Sequence, residues 1–208
     1  MESKLKILII DYGMGNLCSV QRKCSKVGIE TTITNDVKQI RKADKLILPG
    51  VGHFKKAVEN LKSLELWDEL NESVLIKKIP VMGVCLGMQL MAKCSEEGHT
   101  GGFGWFNADI VRFHVADALK HKVPHIGWNT IRQEKPSILF NKVSPEAEYY
   151  FVHSYHAKAN NPSEVLSYSN YEYDFVSAME KDNIFGFQFH PEKSHEYGEQ
   201  ILKNFADL

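Results

Sequence analysis

Apolar positions along the chain change their spacing near residue 94. Before it, short apolar runs alternate with segments of helical periodicity. Residues 5–10 form an apolar run broken only by Lys6, and residues 46–48 form another. Continuous rather than alternating apolar character predicts burial on both faces, as in a parallel sheet. Residues 29–34 read as a further strand. Between the strands, Leu17, Val20, Cys24 and Val27 recur at helical spacing. Asn16 is suited to cap that helix and Gly28 to stop it. Residues 36–42 predict a short helix. Phe54, Ala57, Val58, Leu61, Leu64, Trp67 and Leu70 predict one long amphipathic helix. Strand–helix alternation of this kind gives an α/β fold with right-handed crossovers.

Beyond Cys94 the texture changes. Residues 95–104 are polar and Gly-rich and read as a loop. Short segments rich in aromatic and β-branched residues follow at 110–113, 123–131, 149–155, 165–168, 175–180 and 184–190, with turn signals between them. A closing helix is predicted over 196–206. The expected architecture is a single-domain α/β fold spanning residues 1–208. It has an open, mostly parallel sheet flanked by helices, with an added antiparallel or mixed β portion.

Composition narrows the class. The 25 Lys+Arg balance 26 Asp+Glu, and no basic block marks a nucleic-acid face. The apolar run near the N-terminus is closed by Asp11 and is too short for a signal-peptide core. The longest apolar stretch, around residues 79–91, is interrupted by Pro80 and Gln89 and reads as core rather than as a membrane span. Cys18, Cys24, Cys85 and Cys94 form no Cys-x-x-Cys pair, so neither a zinc ribbon nor a thioredoxin-type site is signalled. A cytoplasmic protein without disulfides or metal is expected.

The chemistry begins at Gly83-Val84-Cys85-Leu86-Gly87. An apolar strand running into Gly-x-Cys-x-Gly and then into a helix-compatible run is the nucleophile-elbow pattern with cysteine in place of serine. The turn lifts the side chain clear of the strand. The helix that starts there favours thiolate over thiol, and the N–H of Leu86 becomes an oxyanion donor. The Pro49-Gly50-Val51-Gly52 turn, at the end of another buried strand, can point backbone N–H groups into the same region, because α/β sheets form sites outside the carboxyl ends of their strands. Gly13-x-Gly15 after the first strand lacks the third glycine of a dinucleotide fingerprint, since Cys18 stands there.

The second chemical stretch is Phe187-Gln188-Phe189-His190-Pro191-Glu192-Lys193-Ser194. In an extended backbone His190 and Glu192 project to one side and Pro191 to the other. Glu192 can then orient the imidazole towards a nucleophile, with the acid two residues after the base. No Pro-Cys-x-x-Cys follows His190-x-Glu192, so a zinc deaminase is not signalled. An α/β-hydrolase would place its acid before its histidine. The spacing of His153, His156 and His195 matches no metal-ligand pattern.

With these stretches in view, the chain resembles the triad-type glutamine amidotransferases. More narrowly, it resembles the glutaminase subunits of imidazole glycerol phosphate synthase, the HisH type. Besides the two stretches above, the resemblance rests on Asp11-Tyr12-Gly13-Met14-Gly15-Asn16, Leu48-Pro49-Gly50-Val51-Gly52, Val123-Pro124-His125-Ile126-Gly127-Trp128-Asn129 and Tyr150-Phe151-Val152-His153-Ser154-Tyr155. It implies a Cys85–His190–Glu192 triad acting on L-glutamine without a cofactor. It also implies oxyanion donors at Leu86 and at Val51 or Gly52, and glutamine contacts at Gln89, His153, Ser154 and Tyr155. Ammonia would pass to a docked HisF-type (β/α)8 synthase subunit, over a face including Asn16, Trp128 and Lys193. Two departures, Gly104-Trp105-Phe106-Asn107-Ala108 in place of a glycine-rich turn and His156 after the Phe-Val-His-Ser-Tyr run, look like paralogues that feed a sugar amidotransferase. They leave the triad untouched.

Overall fold

The computed structural model describes residues 5–117 and 119–208. Residues 1–4, the start of the segment read as lacking a leader, lie outside the described residues. The first half alternates as expected: β1 (Ile7–Ile10), α1 (Leu17–Lys26), β2 (Thr31–Thr34), α2 (Val37–Ile40), β3 (Lys45–Gly50), α3 (Phe54–Ser63), α4 (Leu66–Asn71), β4 (Val81–Cys85) and α5 (Leu86–Leu90). Strands β1, β3 and β4 are buried along their whole length. This matches their unbroken apolar sequence. Asn16 caps α1, its side chain accepting from the Ser19 N–H at 3.2 Å.

The long helix expected over residues 54–70 is two helices. Glu65 sits in the left-handed region at φ 58° and separates α3 from α4. Apolar periodicity continues across the break because both helices turn their apolar face to the same core. The pattern therefore could not reveal it. Five residues of π-helix, Glu72–Ile76, then carry α4 towards β4.

The second half contributes β5 (Cys94–Ser95), β6 (Thr100–Gly101), β7 (Ala108–Arg112), β8 (His125–Thr130), β9 (Arg132–Gln133), β10 (Glu148–His153), β11 (Tyr155–Ala159), β12 (Val165–Tyr171), β13 (Tyr173–Lys181), β14 (Ile184–Phe187) and the closing α6 (His195–Ala206). The segment read as a loop over 95–104 thus holds the end of one short strand and all of another. The single strand expected over 149–155 is divided at Ser154, and its halves join different sheets.

Among the described residues the main sheet has 12 strands, ordered β2-β1-β3-β4-β14-β13-β11-β7-β5-β6, with β12 on β13 and β9 on β12. From β2 to β14 all neighbours are parallel. From β14 to β7 they are antiparallel. The expected fold class therefore holds. Strands β8 and β10 form a separate antiparallel pair. No helix among the described residues is long and apolar enough to cross a membrane. The carboxyl ends of β3, β4 and β14, three adjacent strands, carry the chemical stretches to one place.

Candidate active site

Cys85 ends β4 at φ 54° and ψ −111°, outside the regions most L-residues occupy. Close packing around the turn sustains that conformation. A β-carbon on Gly87 would overlap the Leu48 carbonyl oxygen, and one on Gly83 would stand 2.8 Å from the Met88 nitrogen. Both glycines of the elbow are thus required by contact. The helix beyond has only five residues, Leu86–Leu90. Its dipole is correspondingly small.

His190 lies three residues past the end of β14, in the loop rather than in the strand. Pro191–Lys193 is a turn of 3-10 helix, not extended backbone. The expected pairing forms by this turn instead: His190 Nδ1 and Glu192 Oε1 are 2.8 Å apart, and both residues are buried. Ser194 fixes the turn. Its hydroxyl donates to the His190 carbonyl at 2.6 Å and accepts from the Tyr150 N–H at 3.0 Å. The Glu192 contact occupies Nδ1 and leaves Nε2 free of any hydrogen bond within the described residues, with Cys85 close to the ring. Burial alone would pull the imidazolium down. The nearby Cys85 sulfur, followed by the hydrogen bond and charge of Glu192, outweighs it and raises His190 to about 10. The shift favours the protonated imidazole beside the sulfur.

A cavity of about 300 Å³ opens on Cys85. Its walls include Val51, Gly52, Leu86, Gln89, His153, Ser154 and Tyr155, so it gathers these sequence candidates around Cys85. Val51 and Gly52 are exposed, on the turn that follows β3. Tyr12, fully buried, holds that turn by donating its hydroxyl to the Pro49 carbonyl at 2.8 Å. Gln89 spends both N–H bonds within the protein, on the Tyr155 carbonyl at 2.9 Å and on Gln188 Oε1 at 3.0 Å. Its Oε1, an acceptor, is what remains for a ligand. His153 lines the same wall. Burial holds it well below its ordinary pKa, so it is neutral.

Glu97 also lines the cavity, and sequence reasoning missed it. It lies between β5 and β6 and accepts from the Phe54 N–H at 2.7 Å. A glutamate in a polar stretch carries no local signal. Only the fold brings it to the site. Of the remaining candidates, Asn16 is exposed at the start of α1. Trp128 and Lys193 share a surface cluster: the indole stacks on His195 at 4.6 Å, and Lys193 Nζ lies 5.3 Å from the centre of the Tyr150 ring. Among the described residues, no group of three or more His, Cys, Asp or Glu could hold a metal ion.

A profile described as glutamine amidotransferase class-I matches residues 8–208. The chain belongs to the class-I glutamine amidotransferases. It is 46% identical over 199 residues to imidazole glycerol phosphate synthase subunit HisH 2 of Methanococcus maripaludis, covering 96% of this chain and 98% of that one. It is 44% identical over 202 residues to the HisH 2 subunit of Pseudomonas aeruginosa, covering 97% and 99%. In fold, this amidotransferase is similar to a putative GMP synthase component of Thermoplasma acidophilum. The TM-score is 0.74 at 21% identity, over 100% of this chain and 94% of that one.

Proposed function

We propose that the chain is the glutaminase subunit of an imidazole glycerol phosphate synthase, hydrolysing L-glutamine for a HisF-type cyclase in histidine biosynthesis. The observation that carries the chemistry is the buried His190–Glu192 pair, 2.8 Å apart, set beside Cys85, which lines the cavity. The Cys85 sulfur attacks the carboxamide carbon of glutamine, and the carbonyl oxygen takes up negative charge. The N–H of Leu86, with one from Val51 or Gly52, receives that charge. Collapse of the tetrahedral intermediate breaks the C–N bond. His190 gives its proton to the departing nitrogen, and ammonia leaves. The neutral imidazole then takes a proton from water, whose oxygen attacks the γ-glutamyl thioester. Glutamate departs and the sulfur is restored. The Gln89 Oε1 and the Glu97 carboxylate are acceptors suited to the N–H groups of the substrate.

Ammonia in neutral water becomes ammonium, which is no nucleophile, so the product must be handed over at the site. The names of the similar subunits support the histidine-pathway partner. They do not favour the sugar amidotransferase. The face offered to the partner carries Asn16, Trp128 and Lys193, beside the catalytic turn. The test is ammonia release by the purified chain, alone and with the HisF-type subunit of the same organism. Slow hydrolysis alone and strong stimulation by that subunit, weakened in Lys193→Ala, is the expected result. Full activity alone, unchanged by the cyclase, would exclude a partner-gated glutaminase. Stimulation by a sugar amidotransferase alone would retain the chemistry and change the pathway.

A further inference from the structure

A buried chain of hydrogen bonds leads from the cavity wall to the sulfur of Cys85, and only one orientation of its amides satisfies it. It is anchored at the Tyr155 carbonyl, which can only accept. That oxygen receives His153 Nδ1 at 2.8 Å and Gln89 Nε2 at 2.9 Å. The Gln89 amide therefore presents its nitrogen there, and its second N–H reaches Gln188 Oε1 at 3.0 Å. With its oxygen turned to Gln89, Gln188 presents Nε2 to Cys85 Sγ at 3.7 Å. Turning over Gln188 alone would set two NH2 groups against each other. Turning over both would set Gln89 Oε1 against the Tyr155 carbonyl. The carbonyl thus fixes, through two amides, that a donor and not an acceptor meets the sulfur. Gln188 is fully buried and Gln89 nearly so, which makes a mismatched pair costly.

We infer that Gln188 is a further catalytic residue: its side-chain N–H donates to the Cys85 sulfur and stabilises the attacking thiolate. Gln89 is the positioning residue that holds the Gln188 amide in that orientation. This rests on Cys85 being the nucleophile of the glutamine reaction. Other groups act on the same sulfur. His190 supplies the opposite charge, and Tyr12 is buried within its electrostatic reach. Glu97 and His153 line the shared cavity. Gln188 differs from these in being a neutral donor with no proton to gain or lose, so its effect persists at every pH at which the sulfur is ionised. A hydrogen bond to a charged acceptor is stronger than one to a neutral group, so the bond favours thiolate over thiol.

The test is alkylation of the intact chain by iodoacetamide across a pH series, each cysteine followed separately by peptide mass spectrometry. It needs neither partner nor glutamine. In Gln188→Met, Cys85 should be alkylated about tenfold more slowly at pH 7, its half-maximal rate moving up by about one pH unit. The exposed Cys18 and Cys94 should react unchanged. In the partner-stimulated glutaminase assay, kcat should fall with KM nearly constant. Gln188→Glu keeps the acceptor for Gln89 and replaces the donor at the sulfur, so it should slow Cys85 further. It also carries the test if Gln188→Met does not fold. Gln89→Met should give a smaller shift in the same direction. A role in packing alone would lower the unfolding midpoint and leave the Cys85 profile in place. A folded Gln188 variant with the wild-type Cys85 profile overturns the inference. Hydrolysis surviving in Cys85→Ala would instead overturn the reading of the nucleophile beneath it.

Discussion

Glu192 contributes through a single contact. Its Oε1 holds His190 Nδ1 at 2.8 Å and, by its charge, helps keep the imidazole protonated. Glu192→Gln removes the charge and permits the wrong tautomer. Turnover of the partner complex should fall by roughly 10²–10⁴-fold with the Michaelis constant little changed. Steady-state kinetics would check this, and an unchanged turnover with a raised Michaelis constant would move Glu192 into substrate binding. At this scale the sequence was informative where chemistry is local. Gly83, Cys85 and Gly87 share one turn, and His190 and Glu192 share another, so each group could be seen within a few residues. Glu97 and Gln188 were not legible as site residues. One comes from a polar loop, and the other is aimed at the sulfur only through Gln89 and a carbonyl 33 residues away from it in sequence, at Tyr155.

The elements follow the apolar pattern closely in the parallel half, where each strand is buried on both faces. They follow it less well where two elements share one pattern. The α3–α4 break at Glu65 is the example, since Leu61, Leu66 and Leu70 lie in the same core on both sides of it. Glu65 is exposed and carries a β-carbon in a left-handed conformation. Glu65→Gly should therefore relieve strain and stabilise the fold by about 1 kcal/mol. An unfolding midpoint below that of the wild type would show that the Glu65 side chain contributes more than its backbone costs. The 149–155 segment was read as one strand for a related reason. Its run of aromatic and β-branched residues continues past Ser154, while the chain crosses there from the β8–β10 pair to the main sheet. The pairing of His190 and Glu192 forms in a different local structure from the extended one expected: His190 itself is extended at φ −102° and ψ 95°, and the 3-10 turn that begins after it brings Glu192 back to its imidazole.

Across the whole molecule, buried histidines make stability depend on pH in two opposed ways. His125 is lowered by burial to about 4, and burial lowers His153 and His156 as well. The unfolded chain takes up these protons near pH 6.5 and the folded chain does not. Their contribution is present above about 6.5 and is lost as pH falls towards 4. His190 has the opposite sign. Raised to about 10, it contributes fully below about 6.5, and that contribution is lost as pH rises through about 10. Stability should thus peak near neutrality. Urea midpoints should fall between pH 6.5 and 4 by an amount worth roughly 1–3 kcal/mol for His125. His125→Phe should flatten that acid limb, and an equally steep limb in the variant would assign it to other groups. The sheet order serves the proposed chemistry at this scale, because the neighbours β3 and β4 deliver the Val51–Gly52 turn and Cys85 to one cavity, while β14 leads to His190 beside Cys85. The central claim is that Cys85 carries glutamine covalently through the reaction. The direct measurement is acid quenching of the partner complex during turnover, followed by peptide mass spectrometry. The account predicts one γ-glutamyl group, on the Cys85 peptide of the wild type, accumulating further when Glu192→Gln slows hydrolysis and absent from Cys85→Ala. A γ-glutamyl group on any other residue, or continued glutamine hydrolysis by Cys85→Ala, would contradict it.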